Sequence, residues 1–182
     1  QPRFFGGWGY DKTLCDADDT VAQADAGGVP MGGDLPSPAN DEIPSFVVSA
    51  LRDPGTAEFP GGKLQRIQII KGWVGEDGSV QQAIYDVAGT PDNGASVDLG
   101  TCEPKGAGYD SLCSVWRDPA FDKSQHAVYY ARVVENPSCR WSTWQCNALP
   151  KDERPSVCND PAIQKTVQER AWTSPIWYSP AD

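Results

Sequence analysis

The stretch LQRIQIIKGWV, residues 64–74, decides the fold class, because its side chains alternate as those of a β-strand do. Apolar residues occur on both alternating faces near its centre. GEDGS follows at residues 75–79, and its Asp-Gly pair is typical of a tight hairpin turn. VQQAIYDVAG, residues 80–89, is again rich in β-branched and aromatic residues. The sequence therefore predicts a long antiparallel hairpin.

Further strand patterns lie on both sides of this hairpin, at residues 45–53, 112–118, 126–135 and 173–179. The third carries apolar residues on both faces, which indicates a central strand or one beneath a covering loop.

Helix signals are fewer. DADDTVAQADA predicts a short helix that ends at Gly27-Gly28, and Asp160-Pro161 resembles a helix start ahead of AIQKTVQERA. We expect a mainly β protein, an antiparallel β-sandwich with one or two short helices.

Six cysteines indicate disulfide-pinned loops and an oxidising compartment, either periplasmic or extracellular: Cys15, Cys102, Cys113, Cys139, Cys146 and Cys158. Their number permits many pairings. Loop lengths favour local bonds Cys102–Cys113 and Cys146–Cys158, with Cys15–Cys139 as the long one. No two cysteines form a CxxC pair, so a zinc site of the Cys/His type is not predicted.

The net charge of −10 and the absence of a Lys/Arg cluster argue against nucleic acid and anionic lipid as partners. The chain contains no apolar run near the ~20 residues that span a bilayer. We predict no membrane span.

Motifs for known catalytic chemistry are not found in the sequence. It has no GxSxG, no phosphate-binding GxxxxGK[ST] and no GxGxxG after a strand. The single histidine, His126, opens a predicted strand, where a structural role is favoured over catalysis. We therefore predict no catalytic residue and no metal ligand in this chain.

Two kinds of binding site remain open on the residues alone. GEDGS and DADD carry oxygen ligands suited to calcium, although neither follows the twelve-residue EF-hand order. Seven tryptophans are numerous enough for a sugar-stacking surface. Trp73, Trp116 and Trp177 fall within predicted strands and are expected in the core. Trp8, Trp141 and Trp144 stay open for binding.

Several stretches, read in order, resemble the C-terminal part of the domain-of-unknown-function family 3604. They are RFFGGWGY, GVPMGGDLP, RIQIIKGWV, VWRDPAFDKSQHAVYYARVVENPSCRWSTWQC and QERAWTSPIWYSP. The resemblance covers nearly the whole chain. It implies a longer, exported parent with an N-terminal domain similar to the PHP (polymerase and histidinol phosphatase) metal-dependent hydrolases. The divalent metal ligands of that domain would precede Gln1, so this chain has no positions to receive them.

The resemblance also marks family signature positions, for which we expect a place at the hydrolase cleft or at the contact between the two parts: Asp34, Arg140, Trp141, Glu169 and Arg170. The function it implies is a non-catalytic C-terminal module that shapes or stabilises the parent hydrolase. The alternatives are a free-standing secreted module that binds glycans through exposed tryptophans, and a fragment that contributes residues to the cleft.

The first residues, QPRFFGGWGY, enter an aromatic strand without a starting Met. Because domains seldom begin in mid-strand, we expect residues 1–182 to be a single domain from the end of a longer chain. The partner is then the missing N-terminal domain or another copy. We expect Phe4, Phe5 or Trp8, together with the GVPMGGDLP loop, to form the exposed surface that meets it.

Overall fold

Two β-sheets packed face to face form the body of the fold, and the computed structural model describes residues 1–180. The strands, numbered in chain order, are β1 Pro2–Gly7, β2 Gly28–Pro30, β3 Asp34–Leu35, β4 Ser45–Leu51, β5 Leu64–Val74, β6 Val80–Gly89, β7 Ser96–Val97, β8 Pro104–Lys105, β9 Ser111–Arg117, β10 Ala127–Glu135, β11 Ser138–Cys139, β12 Thr166–Val167, β13 Arg170–Trp172 and β14 Ile176–Tyr178. The helices are α1 Thr20–Ala26 and α2 Trp141–Ala148, with short 3-10 helices at Lys12–Asp16, Lys151–Glu153 and Ser156–Asn159.

The smaller sheet has the strand order β2-β1-β4-β9, and the larger has the order β3-β14-β10-β5-β6, with β13 also paired to β10. The pairings are antiparallel except that β14 runs parallel to β3 at the edge of the larger sheet. Two small ribbons, β7–β8 and β11–β12, lie outside the two sheets. This arrangement confirms the predicted antiparallel β-sandwich with short helices.

The predicted hairpin is present as β5 and β6, which pair in register from Arg66 to Val74 with one irregularity. Its turn is built around Asp77, whose carboxylate accepts hydrogen bonds from the backbone N–H and the hydroxyl of Ser79. Gly78 adopts φ +77°, a conformation that strongly favours glycine. Local turn chemistry therefore fixes the hairpin.

The main core lies between the two sheets and is built from the inward-facing half of each strand. Its buried members are Phe4, Leu35, Phe46, Val48, Ala50, Leu64, Ile67, Ile69, Ala127, Tyr129, Ala131, Val133, Ile176 and Tyr178. The ring of Phe46 lies at its centre, 4.3 Å from that of Tyr129 and 5.5 Å from that of Phe4.

A second core covers the other face of β1 and corrects one expectation. Phe5 packs there with Tyr10 and Leu14, beneath the segment that contains α1. Phe4 and Phe5 are 1% and 6% exposed, so neither belongs to an open surface. Trp8 is half-buried against the rings of Phe121 and Tyr178. For Phe4 and Phe5 the expectation was wrong, because the strand has two apolar faces and the chain covers both.

The disulfides confirm one expected bond and correct two. Cys146–Cys158 forms as expected, but the other pairs are Cys15–Cys113 and Cys102–Cys139, not Cys102–Cys113 and Cys15–Cys139. The physical reason is strand neighbourhood. The 3-10 helix Lys12–Asp16 packs on β9, which carries Cys113, whereas Cys139 lies on β11 beside the β7–β8 ribbon. The number of residues between two cysteines does not show which segments pack together in the fold.

The helices also depart from the prediction in part. α1 is confirmed and ends before Gly27. The helix expected after Asp160-Pro161 is wrong, because Asp160 caps only a turn through the N–H of Ala162 and the chain then extends into β12 and β13. α2 lies in a segment without a clear apolar stripe, so no pattern predicted it. Among residues 1–180, no helix has the length and apolar character needed to cross a bilayer.

Candidate functional site

The face of the larger sheet that points away from the core carries large exposed aromatic side chains. Alternate residues of β10 point inward, among them Tyr129 and Ala131, so their neighbours point outward. The same alternation places Trp177 outward between the buried residues Ile176 and Tyr178. Trp172 follows the inward-packed Ala171 and is outward as well. We call this surface the outer face.

Aromatic side chains form one line along the outer face. Trp177 lies opposite Val128 and Trp172 opposite Arg132, with Tyr130 between these two rows. The tryptophans are 51% and 55% exposed. Since a strand rises about 3.3 Å per residue, the rows of the two tryptophans are about 13 Å apart. Half-exposed Ile84 extends the apolar area across β5 and β6.

A polar row crosses the strands at the Trp172 end of the outer face. Arg132 Nε donates to Gln68 Oε1 over 2.8 Å, and Gln68 Nε2 donates to Asp86 Oδ1 over 2.9 Å. Arg66 pairs with the same Asp86 oxygen over 3.3 Å. With Arg170 nearby, this end carries three arginines and one aspartate, although the whole chain has a net charge of −10. The outer face is therefore locally cationic.

A groove of about 620 Å³ borders the outer face at Trp172. Its lining includes Pro137, Lys165, Glu169 and Arg170. Beside it, burial raises the pKa of Glu135, and the negative charge of Glu169 raises it further. The groove therefore has a carboxylate neighbour that gains a proton more readily than an exposed glutamate does.

The five signature residues are divided among three places. Glu169 and Arg170 line the groove. Asp34 is exposed on β3 opposite Trp177. Arg170 lies opposite Val134 and Trp177 opposite Val128, six residues apart along β10, so Asp34 and Arg170 are about 20 Å apart along the face.

The other two signature residues belong to α2. Arg140 precedes the helix and donates its backbone N–H to Lys165 O, while Trp141 is 68% exposed in the first turn. Glu169 and Arg170, which are adjacent in the sequence, share the groove, and the structure does not gather all five residues into one site.

The line of tryptophans was missed by the sequence prediction. Trp177 was expected in the core and is exposed, because Ile176 and Tyr178 take the inward positions of β14. Trp73 and Trp116 do pack against the main core as expected. The alternation in IWY and RAW was the available signal, but it does not say which set of side chains faces inward.

No metal-binding constellation is found among residues 1–180: no group of three or more His, Cys, Asp or Glu side chains could hold an ion. In GEDGS, Asp77 Oδ1 is already the acceptor for Ser79. In DADD, Asp19 accepts from Gln23.

Comparison with known protein families identifies a match over nearly the whole chain. The model of the family described as "Protein of unknown function (DUF3604)" matches residues 1–180. No curated protein and no solved structure matches the chain. Because the family match covers all but the last two of its 182 residues, the chain belongs to the DUF3604 family.

Proposed function

We propose that this chain is a non-catalytic β-sandwich module from the C-terminal part of an exported, PHP-like metal-dependent hydrolase, and that its outer face packs against the hydrolase domain. The observation that carries the proposal is the pair of tryptophans, each more than half exposed, on an ordered sheet face. Large aromatic side chains dominate the energetics of contacts when they become buried.

The composition of the outer face suits a contact between domains. Such contacts bury roughly 600–1,500 Å² and are more polar than obligate interfaces. An apolar line of Trp177, Tyr130 and Trp172 with arginines at one end has this mixed character. The groove that holds Glu169 and Arg170 adjoins the face, so the same contact would bring these two residues to the border of the partner domain.

Export is supported by the three disulfides, which persist in the periplasm or outside the cell and are rare in reducing compartments. The resemblance to exported family members points the same way.

A second candidate function rests on the same tryptophans. Aromatic rings in line on a flat sheet can stack on sugar rings, and the arginines beside them would favour an acidic glycan. A free-standing secreted binding module would use the outer face in this way. Alanine variants of Trp172 and Trp177 distinguish the two functions.

The decisive experiment replaces Trp172 and Trp177 with alanine in the protein that carries this chain together with the hydrolase domain. We expect limited proteolysis to release the module from the double variant much faster than from the parent. Trp144→Ala is the matched control, because Trp144 is 53% exposed on α2, outside the sheet. Equal release from all three proteins would contradict docking through the outer face.

Two further measurements sharpen the outcome. The double variant is also tested for retention in affinity gels that contain polygalacturonate. If it loses retention while its proteolysis is unchanged, the glycan function is favoured.

The isolated chain should not hydrolyse phosphate or sulfate esters with added manganese or zinc. Metal-dependent turnover that survives repurification and is lost in Asp34→Asn would overturn the non-catalytic assignment.

A further inference from the structure

A charged pair is enclosed in the sandwich at a place that the proposed function does not use. Lys71 lies on the inner side of β5, and Asp118 follows β9 directly. Their side chains are 4% and 0% exposed, and Lys71 Nζ is 2.6 Å from Asp118 Oδ2. The hydroxyl of buried Tyr129 donates to the same oxygen over 2.7 Å. Three reactive groups therefore meet out of contact with water.

The remaining polar atoms of the pair are also held by the protein. Asp118 Oδ1 accepts the backbone N–H of Ala120 over 2.9 Å. Lys71 Nζ donates to Ala120 O over 2.6 Å. The rings of Trp73 and Tyr129 lie 5.3 and 5.9 Å from Nζ. Both reactants are therefore fixed in one orientation, between aromatic rings.

The reaction starts from the neutral form of the pair. Transfer of one proton from the ammonium to the carboxylate removes both charges and leaves an amine beside a carboxylic acid. Fixed neighbours of this kind react with effective concentrations that reach about 10⁵–10⁸ M in well-oriented intramolecular cases.

We propose that Lys71 and Asp118 are joined by an amide bond that forms within the folded chain. The neutral Nζ attacks Asp118 Cγ and forms the C–N bond, while the Cγ–Oδ2 bond breaks. Oδ2 departs as water, carrying the proton received first from Lys71 and a second one lost by the attacking nitrogen. The reaction is a condensation that needs no oxidant, reductant or other reactant.

The neighbours of the pair suit two steps of this reaction, the formation of the tetrahedral intermediate and the departure of Oδ2. The N–H of Ala120 faces Oδ1, on which negative charge develops in the tetrahedral intermediate. Tyr129 donates to Oδ2, the oxygen that leaves. Burial, with the adjacent charge of Asp118 as the second cause, raises the pKa of the Tyr129 hydroxyl, so it retains its proton and stays a donor.

The bond would connect the two sheets, because Lys71 belongs to the larger one and Asp118 follows the last strand of the smaller one. It would survive the reduction of disulfides. This proposal is independent of the docking role above, since neither residue is exposed on the outer face.

The test is the intact mass of the reduced and denatured wild-type chain. We expect it to be lower, by the mass of one water molecule, than the sequence requires. Lys71→Arg should show no such loss, because arginine does not form the amide. Cyclisation of Gln1 would change the mass of both proteins by the same amount, so it does not affect the comparison. Tyr129→Phe, which keeps the ring, should slow the condensation, so that uncrosslinked chain is seen at early times after synthesis.

A peptide map keeps the test decisive if Lys71→Arg fails to fold. Trypsin should not cleave after Lys71 in the wild type, and a branched peptide should contain both Lys71 and Asp118. Full sequence mass together with a linear peptide that ends at a free Lys71, obtained from folded wild-type protein, would overturn the proposal.

Discussion

The two-sheet body and the segments that extend from it are stabilised by different means. We call residues 90–110 and 138–168 the cap. In the body, strands such as the 11-residue β5 bury a continuous set of aliphatic and aromatic side chains. In the cap, β7, β8, β11 and β12 have two residues each. The buried side chains of the cap are those of Cys102, Cys139 and Thr143.

The difference shows how each kind of sequence stabilises its part of the fold. Long alternating strands create a face wide enough for hydrophobic burial to offset the entropy of ordering. The cap lacks such strands, and two of the three disulfides lie in it, Cys102–Cys139 and Cys146–Cys158. Covalent bonds there take the place of a core, as they do in small secreted domains.

The largest expected effect is in the body. Phe46→Ala removes a fully buried ring that contacts Phe4 and Tyr129, so we expect a loss of about 3–5 kcal/mol in the free energy of unfolding. Leu51→Ala, on the same strand but 59% exposed, is the control and should change it by about 0.5 kcal/mol or less. Guanidinium unfolding with disulfides intact measures both. Similar losses for the two variants would refute a core centred on Phe46.

The next effect is in the cap. Replacement of Cys102 and Cys139 by alanine opens a loop closed across 37 residues, which corresponds to about 3–4 kcal/mol in the chain-entropy model. We expect hydrogen exchange to accelerate in the cap, while the amides of β4 and β10 keep their protection. If exchange rose equally in both parts, the body and cap would unfold as one unit.

A smaller effect on the free energy of unfolding is expected for exposed tryptophans of the two parts. Trp172→Ala in the body and Trp144→Ala in the cap each remove a side chain that is more than half exposed. Both should change the free energy of unfolding of the isolated chain by about 0.5 kcal/mol or less. Thermal or denaturant unfolding checks this. A clearly larger loss for Trp144→Ala would reveal packing in the cap beyond its disulfides.

The smallest effect concerns pH. Hydrogen bonds from Lys105, and then from the N–H groups of Thr101 and Gly100, lower the pKa of Asp98 to about 2. Because the folded pKa lies below the usual value of about 3.9, the stabilisation is complete above that value and is lost as the pH falls towards 2. Amide exchange in residues 98–105 should therefore rise below about pH 4.

The control for this experiment is Asp98→Asn. It should show the same exchange rates, after correction for intrinsic chemistry, at both ends of that pH range. A persistent acid transition in the variant would assign it to another group.

Prediction from sequence succeeded where structure is set locally. Asp77-Gly78 specifies its turn through its own hydrogen bonds, and the alternation on either side then places β5 and β6. α1 likewise ends at a glycine pair. In each case the deciding contacts lie within a few residues of one another.

Prediction failed where contacts between segments distant in sequence determine the structure. Residues 162–171 follow the helix start signal Asp160-Pro161, yet Thr166 and Val167 pair with β11, and Arg170 pairs with β10. The backbone hydrogen bonds of the paired strands override the local preference. The same holds for the disulfide pairs of Cys15 and Cys102, whose partners are set by the packing of segments distant in sequence.

The outer face could be predicted only in part. QERAWTSPIWY drew attention to the right segment through its resemblance to the family. Alternation within it separates Trp177 from its neighbours but leaves the inward set undecided. That choice depends on β10, which takes Ile176 and Tyr178 into the core together with its own Tyr129.

The order of the disulfides along the chain has a consequence for damage by proteases. Cys102 lies inside the loop closed by Cys15–Cys113, and Cys139 lies outside it, so the two loops overlap. A single backbone cut between residues 15 and 139, even at the exposed hairpin tip, leaves two pieces that remain covalently joined. Nicked molecules would keep both pieces, and the protein can lose continuity of its backbone without losing any of its parts.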